Sequence, residues 1–440
     1  MDERSSREPA VRGTYLFALT EGGGTVPPEI GVARRLIERG HRVIVLAEDA
    51  SADDVRAAGA ELVGWKKAPN RRGRSRDDDP LHDWELRDPI SLARGMAEHM
   101  LVGPAPGQAD DVASLIAREL PDLVVTSFPA WGAMVAAEAS GTPFDVLMPN
   151  VYPLPAPGLP QLGTGMRPAR GPLGRARDRA ATAVSTRLLD RFTLERLTAV
   201  RRDHGLAPLS HSWDQVRRAR RQLVLTSRAF DFQATLPPGV RYCGPILDEP
   251  AWAGADGWTA PPGHDPLVLV AMSSTFQDQV ACLQRVVDAL GRMPVRGVVT
   301  TGPALDTREL HAPANVSVVP AAPHREVMRE AALVVTHGGH GTVMKALAAD
   351  LPLLLLPHGR DQADNAVRVT SRGAGLTLRR GAPSRRIAAA VRRLLDDPSY
   401  ARGAARLGAL VRRDASGDGL VTELEQTLAQ ASPGGAGTDR

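Results

Sequence analysis

Short apolar runs without polar alternation recur along the chain, each followed by a stretch of helical spacing. In the first half they are Tyr15-Leu16-Phe17-Ala18-Leu19, Val43-Ile44-Val45-Leu46, Leu123-Val124-Val125, Val146-Leu147-Met148 and Leu223-Val224-Leu225. Such runs suit strands covered on both faces, and strands separated by helices pair in parallel through right-handed crossovers. The pattern restarts with Leu267-Val268-Leu269-Val270-Ala271-Met272. It continues through Val298-Val299-Thr300, Val316-Ser317-Val318-Val319, Ala332-Leu333-Val334-Val335 and Leu353-Leu354-Leu355-Leu356. The prediction is an α/β protein built as two similar halves with parallel sheets. Its 440 residues exceed what one core usually supports. Pro, Gly, Asp and Trp crowd the stretch between the halves, which predicts a first domain over 12–245, a linker over 246–265 and a second domain over 266–398. The prolines of Tyr152-Pro153-Leu154-Pro155-Ala156-Pro157-Gly158-Leu159-Pro160 exclude a helix and predict an exposed loop.

Candidate chemistry concentrates in the second half. After Val334-Val335-Thr336 comes His337-Gly338-Gly339-His340-Gly341-Thr342, then the strand 353–356, then Asp361-Gln362. A helix opening near Gly341-Thr342 leaves N–H groups unpaired and presents the positive end of its dipole, which favours a phosphate there. Gly338, Gly339 and Gly341 let backbone approach such an anion, and His337, His340 and Thr342 add donors. A diphosphate would also raise the pKa of His337 and let it carry charge. Ser274 and Thr275 stand where the first strand of this half ends, placed for phosphate binding or for helix capping.

Composition removes several other classes. The net charge of +4 comes from 54 basic and 50 acidic residues with only 4% aromatics, a poor basis for nucleic-acid binding. The Arg-rich run from Arg167 to Arg202 also holds Asp178, Asp190 and Glu195, as a solvated helix face would. It is compatible with a weak attraction for anionic membranes or a partner protein. Two cysteines, Cys243 and Cys282, supply neither a disulfide framework nor a metal cluster. Without a membrane-length apolar run or a signal peptide at Met1-Asp2-Glu3-Arg4, the expectation is a soluble cytoplasmic protein. Gly22-Gly23-Gly24 with Glu48 suggests a dinucleotide fingerprint, but Pro27 occupies the position of the required third glycine.

Thr336-His337-Gly338-Gly339, Thr342, Leu351-Pro352 and Asp361-Gln362, in this order and spacing, resemble the C-terminal signature of the GT-B nucleotide-sugar glycosyltransferases. That family includes plant flavonoid, vancomycin-type and macrolide enzymes. The resemblance implies two Rossmann-like domains facing across a cleft and final helices over 399–430 that cross back to the first domain, leaving a disordered tail over 431–440. It implies inverting transfer from a TDP- or UDP-sugar to a hydroxyl or similar nucleophile of a small, partly apolar secondary metabolite. No metal and no resident cofactor are expected. The diphosphate would meet Ser274, Thr275, His337, Gly339, His340, Gly341 and Thr342, and the sugar Asp361 and Gln362.

The acceptor side departs from the family. Its usual His and orienting Asp fall on Gly23 and Ser127. Some relatives carry an Asp where Thr25 stands, and Glu21 is the nearest carboxylate, which makes Glu21 and Thr25 the candidates for a relocated base. An already acidic acceptor is a second explanation, and a non-catalytic auxiliary role a third; a same-fold epimerase is a further alternative. Ala321-Ala322-Pro323-His324 offers no stacking ring to the nucleobase where the family often has one. Lys345 replaces a sugar-contacting Glu, which suits a deoxysugar or an acidic sugar. Trp131, the proline loop and the Arg-rich helix suggest a roomy acceptor cleft.

Overall fold

The computed structural model describes residues 12–86, 88–254 and 258–431. In the first half the strands are β1 (Thr14–Ala18), β2 (Arg42–Ala47), β3 (Glu61–Gly64), β4 (Leu123–Ser127), β5 (Phe144–Met148), β6 (Arg221–Val224) and β7 (Val240–Tyr242). They form one parallel sheet of order β3-β2-β1-β4-β5-β6-β7. The second half holds β8 (Leu267–Ala271), β9 (Arg296–Thr300), β10 (Val316–Val319), β11 (Ala331–Thr336), β12 (Leu353–Leu355) and β13 (Gly375–Thr377). Its sheet, also parallel, has the order β10-β9-β8-β11-β12-β13. Both orders reverse direction beside the first strand, and open α/β sheets place ligands at the carboxyl ends around that reversal. The apolar runs become the central strands because each must be covered on both faces. Phe17, Val125 and Leu147 are wholly buried in the first sheet, as are Val270, Val335 and Leu354 in the second. The edge strands β3, β7 and β13 carry no such run and were not legible in the pattern.

The halves are pinned together at several points. In the linker, Asp248 pairs with Arg34 and Arg35 of the helix Val26–Glu38, while Glu249 takes Lys345 at 2.6 Å and the Arg325 N–H at 2.9 Å. Asp231, just beyond β6, receives Arg368 of the helix Gln362–Ser371 at 2.7 Å. Asp364 of that helix accepts the Gly163 N–H at 2.6 Å and the Gly165 N–H at 3.2 Å, tying down the chain that follows the proline stretch. The last helix, Gly419–Ala431, returns to the first sheet and packs Leu420, Val421, Leu424 and Leu428 against Tyr15, Val32 and Leu36. From 432 onward the expected tail lies outside the described residues.

The Arg-rich run forms the 33-residue helix Gly171–Asp203. Its solvated character fails at Arg201, which is 1% exposed and gives its guanidinium to Glu138, Gln215 and the Ala207 carbonyl. Trp131 does not line a cleft. It is fully buried at the start of the helix Trp131–Ser140, edge-on to Trp213 at 5.9 Å.

Candidate functional site

The carboxyl ends of β8, β11 and β12 converge on one cradle. The helix after β11 starts at His340, so its first-turn N–H groups face the glycine turn. Gly338 adopts φ +100°, and a Cβ there would stand 3.1 Å from the Gln362 carbonyl oxygen. On Gly339 a Cβ would lie 2.6 Å from His337 Nε2, so the imidazole folds directly over this backbone. His337 is buried. Burial first, then the neighbouring charges of His358 and Arg360, push it down to about 3, so the ring is neutral at pH 7 and keeps a single N–H donor. The charge expected of His337 depends on a diphosphate beside it; by itself the site holds the ring neutral.

Thr275 is buried within a hydroxyl network, 3.1 Å from Ser273 Oγ, with the partly exposed Ser274 beside it. Thr342 is half-buried in the first turn of its helix, and Gly341 has open space where a Cβ would sit. His340 departs from expectation. Its ring is buried edge-on to Phe230 at 5.8 Å, in the seam between the halves, so its backbone rather than its side chain belongs to the helix start.

Asp361 and Gln362 part company. Asp361 is half-buried, with Oδ2 receiving Asn365 Nδ2 at 2.9 Å, and keeps carboxylate capacity for hydroxyls. Gln362 is 2% exposed and its amide is spent on the framework. Oε1 accepts the N–H groups of His358 and Gly359 at 2.7 and 3.2 Å, and Nε2 donates to Gln277 at 2.8 Å. Its expected contact with a sugar is therefore replaced by a structural role, because the tight turn before it needs an acceptor. Lys345 likewise turns away to Glu249, so its charge does not attract an acidic sugar. His324, where the resemblance would place the nucleobase, points inward to Thr300 Oγ1 at 3.2 Å.

Across the cleft, the loop after β1 carries Gly23 at φ +74°, where a Cβ would stand 2.6 Å from Thr275 Cγ2. Any larger side chain there would strike the opposite domain, which accounts physically for the missing histidine. Ser127, at the end of β4, donates to Glu29 at 2.6 Å, and burial raises the Glu29 carboxyl well above its ordinary value. Glu21 proves to be a framework anion. Its Oε1 accepts the Gly23 N–H at 2.5 Å, and its Oε2 accepts Ser51 Oγ at 2.8 Å and Arg74 Nη2 at 3.1 Å. With a side chain 0% exposed, it has no route to an acceptor hydroxyl. Thr25 is half-buried at the helix start, in contact with Gly22 and without a side-chain cap.

Several site residues escaped the sequence reading. Arg360, in the turn before Asp361, reaches Thr275 Oγ1 at 3.3 Å, Asp83 Oδ2 at 2.7 Å and Asp79 Oδ2 at 3.5 Å. Trp84 stands edge-on to Phe276 at 4.9 Å, and Arg76 lies over the Phe276 ring at 5.2 Å. Adjacency to Asp361 was a usable signal for Arg360. None existed for the aspartates, which lie 277 and 281 residues away.

Two parallel-sheet Rossmann-like domains give the chain the fold of GT-B glycosyltransferases. Residues 284–428 match the family model described as erythromycin biosynthesis protein CIII-like, C-terminal domain. The chain is 28% identical over 403 residues to the 4'-demethylrebeccamycin synthase of Lentzea aerocolonigenes, covering 89% of this chain and 94% of that protein. With the oleandomycin glycosyltransferase of Streptomyces antibioticus it shares 29% identity over 392 residues, 88% of this chain and 84% of the relative. Among solved structures, the calicheamicin glycosyltransferase CalG4 superposes with a TM-score of 0.72 at 25% identity, over 96% of this chain and all of the other. The chain is a glycosyltransferase. No described helix is long and apolar enough to cross a membrane.

Proposed function

We propose that the protein transfers a sugar, with inversion, from a TDP- or UDP-sugar to an acidic nucleophile on a small, partly apolar natural product. The observation that carries this reading is the cradle: His337 over Gly339, the first turn at His340, Gly341 and Thr342, and Ser274 and Thr275 opposite. Neutral donors and a helix dipole stabilise the charge that develops as the diphosphate leaves, and they act most strongly where water is excluded. Asp361 would hold sugar hydroxyls beside them. No metal is part of the proposal. On the acceptor side Glu21 is bound to Arg74 and Gly23 is packed on Thr275, so a nucleophile that ionises easily, such as a phenol, fits a site without the usual base.

The test is thermal stability against TDP, UDP and their sugars, for the wild type, His337→Ala and Asp361→Ala. At 100 times its dissociation constant a ligand of the native state adds about 2.7 kcal/mol, a readable melting shift. His337→Ala should abolish the shift with TDP or UDP, whereas Asp361→Ala should abolish only the increment from the sugar. If no nucleotide stabilises the wild type, the proposal falls.

A further inference from the structure

Arg360 is the residue of the cradle whose chemistry the donor reading leaves unused. It sits between β12 and the helix Gln362–Ser371 at φ +55°, a left-handed conformation that costs a side-chain-bearing residue free energy and concentrates at functional sites. Its guanidinium points at the hydroxyl of Thr275, and its charge is felt by His337. That orientation is imposed by the opposite domain. Asp83 holds Nε at 2.7 Å and Asp79 approaches Nη2 at 3.5 Å, both from the segment between β3 and the helix Pro89–Met96. Trp84 against Phe276, and Arg76 over both rings, seat the same segment on the second domain. One guanidinium is thus shared by two carboxylates, and Asp83 Oδ1 is buried with no hydrogen-bond partner. A diphosphate resting on Thr275 and His337 would offer the same fork several further anionic oxygens, in the bidentate geometry that arginine prefers.

We propose that Arg360 is a ligand of the donor diphosphate and that Asp79 and Asp83 compete with the diphosphate for it, so that donor binding exchanges a bridge between the domains for a phosphate contact. The inference rests on the donor reading above. It predicts effects of opposite sign from the two ends of one bridge, which loss of packing cannot produce: removing Arg360 weakens diphosphate binding, and neutralising the aspartates strengthens it.

Isothermal titration with TDP and UDP, and with thymidine and uridine as phosphate-free probes, tests this on the full chain. Arg360→Gln should weaken the diphosphates by at least about tenfold and leave the nucleosides unchanged. Arg360→Lys, which keeps the charge but not the fork, should fall between. The double variant Asp79→Asn with Asp83→Asn should bind the diphosphates severalfold more tightly, and adding Arg360→Gln should erase that gain. Unchanged diphosphate affinity in Arg360→Gln, or weaker binding in the aspartate variant, overturns the exchange while leaving the donor site standing. Should the wild type bind neither diphosphate, the donor reading itself fails and takes the exchange with it.

Discussion

At the scale of single residues, environment decides which side chains remain free to do chemistry. Glu21 carries the charge that a general base needs, yet Ser51, Arg74 and the Gly23 N–H consume it. Glu21→Gln is expected to destabilise the fold by about 1–3 kcal/mol, because Arg74 loses a buried partner, while the transfer rate of the folded protein stays within about threefold. Urea unfolding beside a transfer assay checks it, and a thousandfold loss of rate without loss of stability would restore Glu21 as the base. His337 yields a pH prediction. Its folded value, about 3, lies below the ordinary 6.5, so the neutral ring contributes stability that is present above pH 6.5 and lost as pH falls towards 3. In histidine-labelled protein without ligand, the His337 ring signals should therefore stay still between pH 5 and 8, and a midpoint near 6.5 would contradict the burial. Asp361 and Gln362 looked equivalent in the sequence. The structure separates them: the turn at His358 and Gly359, with Gln277, takes up the Gln362 amide, whereas Asp361 receives Asn365 of its own helix.

Secondary-structure elements are better read from sequence than residues are. The runs at β1, β4, β8 and β11 stand in the sheets because an uninterrupted apolar stretch cannot face water on either side. The short edge strands are fixed by their neighbours instead. The helix Gly419–Ala431 shows the same divide, since its amphipathic spacing is local but its destination is not. Leu424 is wholly buried on the first sheet's side, and Glu425 reaches Arg39 at 3.1 Å and His41 at 3.0 Å. Leu424→Ala should cost about 2–5 kcal/mol and expose the helix Val26–Glu38, whereas truncating an exposed side chain on the same helix should cost little. Hydrogen exchange of the first domain's amides distinguishes the two. Unchanged protection in Leu424→Ala would mean that the helix only rests on the domain.

Across the whole molecule, the seam between domains rests on buried ion pairs. Asp231 and Arg368 have side chains 0% and 3% exposed; burial opposes Asp231 ionisation, yet Arg368 and Tyr242 hold its carboxyl below the usual range. Asp231→Asn should cost about 3–5 kcal/mol by leaving Arg368 uncompensated, and pairing Asp231→Leu with Arg368→Leu should recover much of it. A double-mutant cycle with no coupling would refute the pair's role in the seam. The sequence by itself determined the two parallel α/β halves and the glycine turn at the head of a helix, because those depend on local periodicity and on backbone freedom. The same holds for the placing of a polar residue, Asp361, at the next strand's end. Only the tertiary structure decided that Gly23 must stay small, that Glu21 and Gln362 are framework, and that Arg360 meets Asp79 and Asp83. The contacts behind them run from within a single turn, at Gln362, to nearly three hundred residues, at Arg360, and the long-range ones bring atoms within about 3 Å in a way that no local pattern encodes.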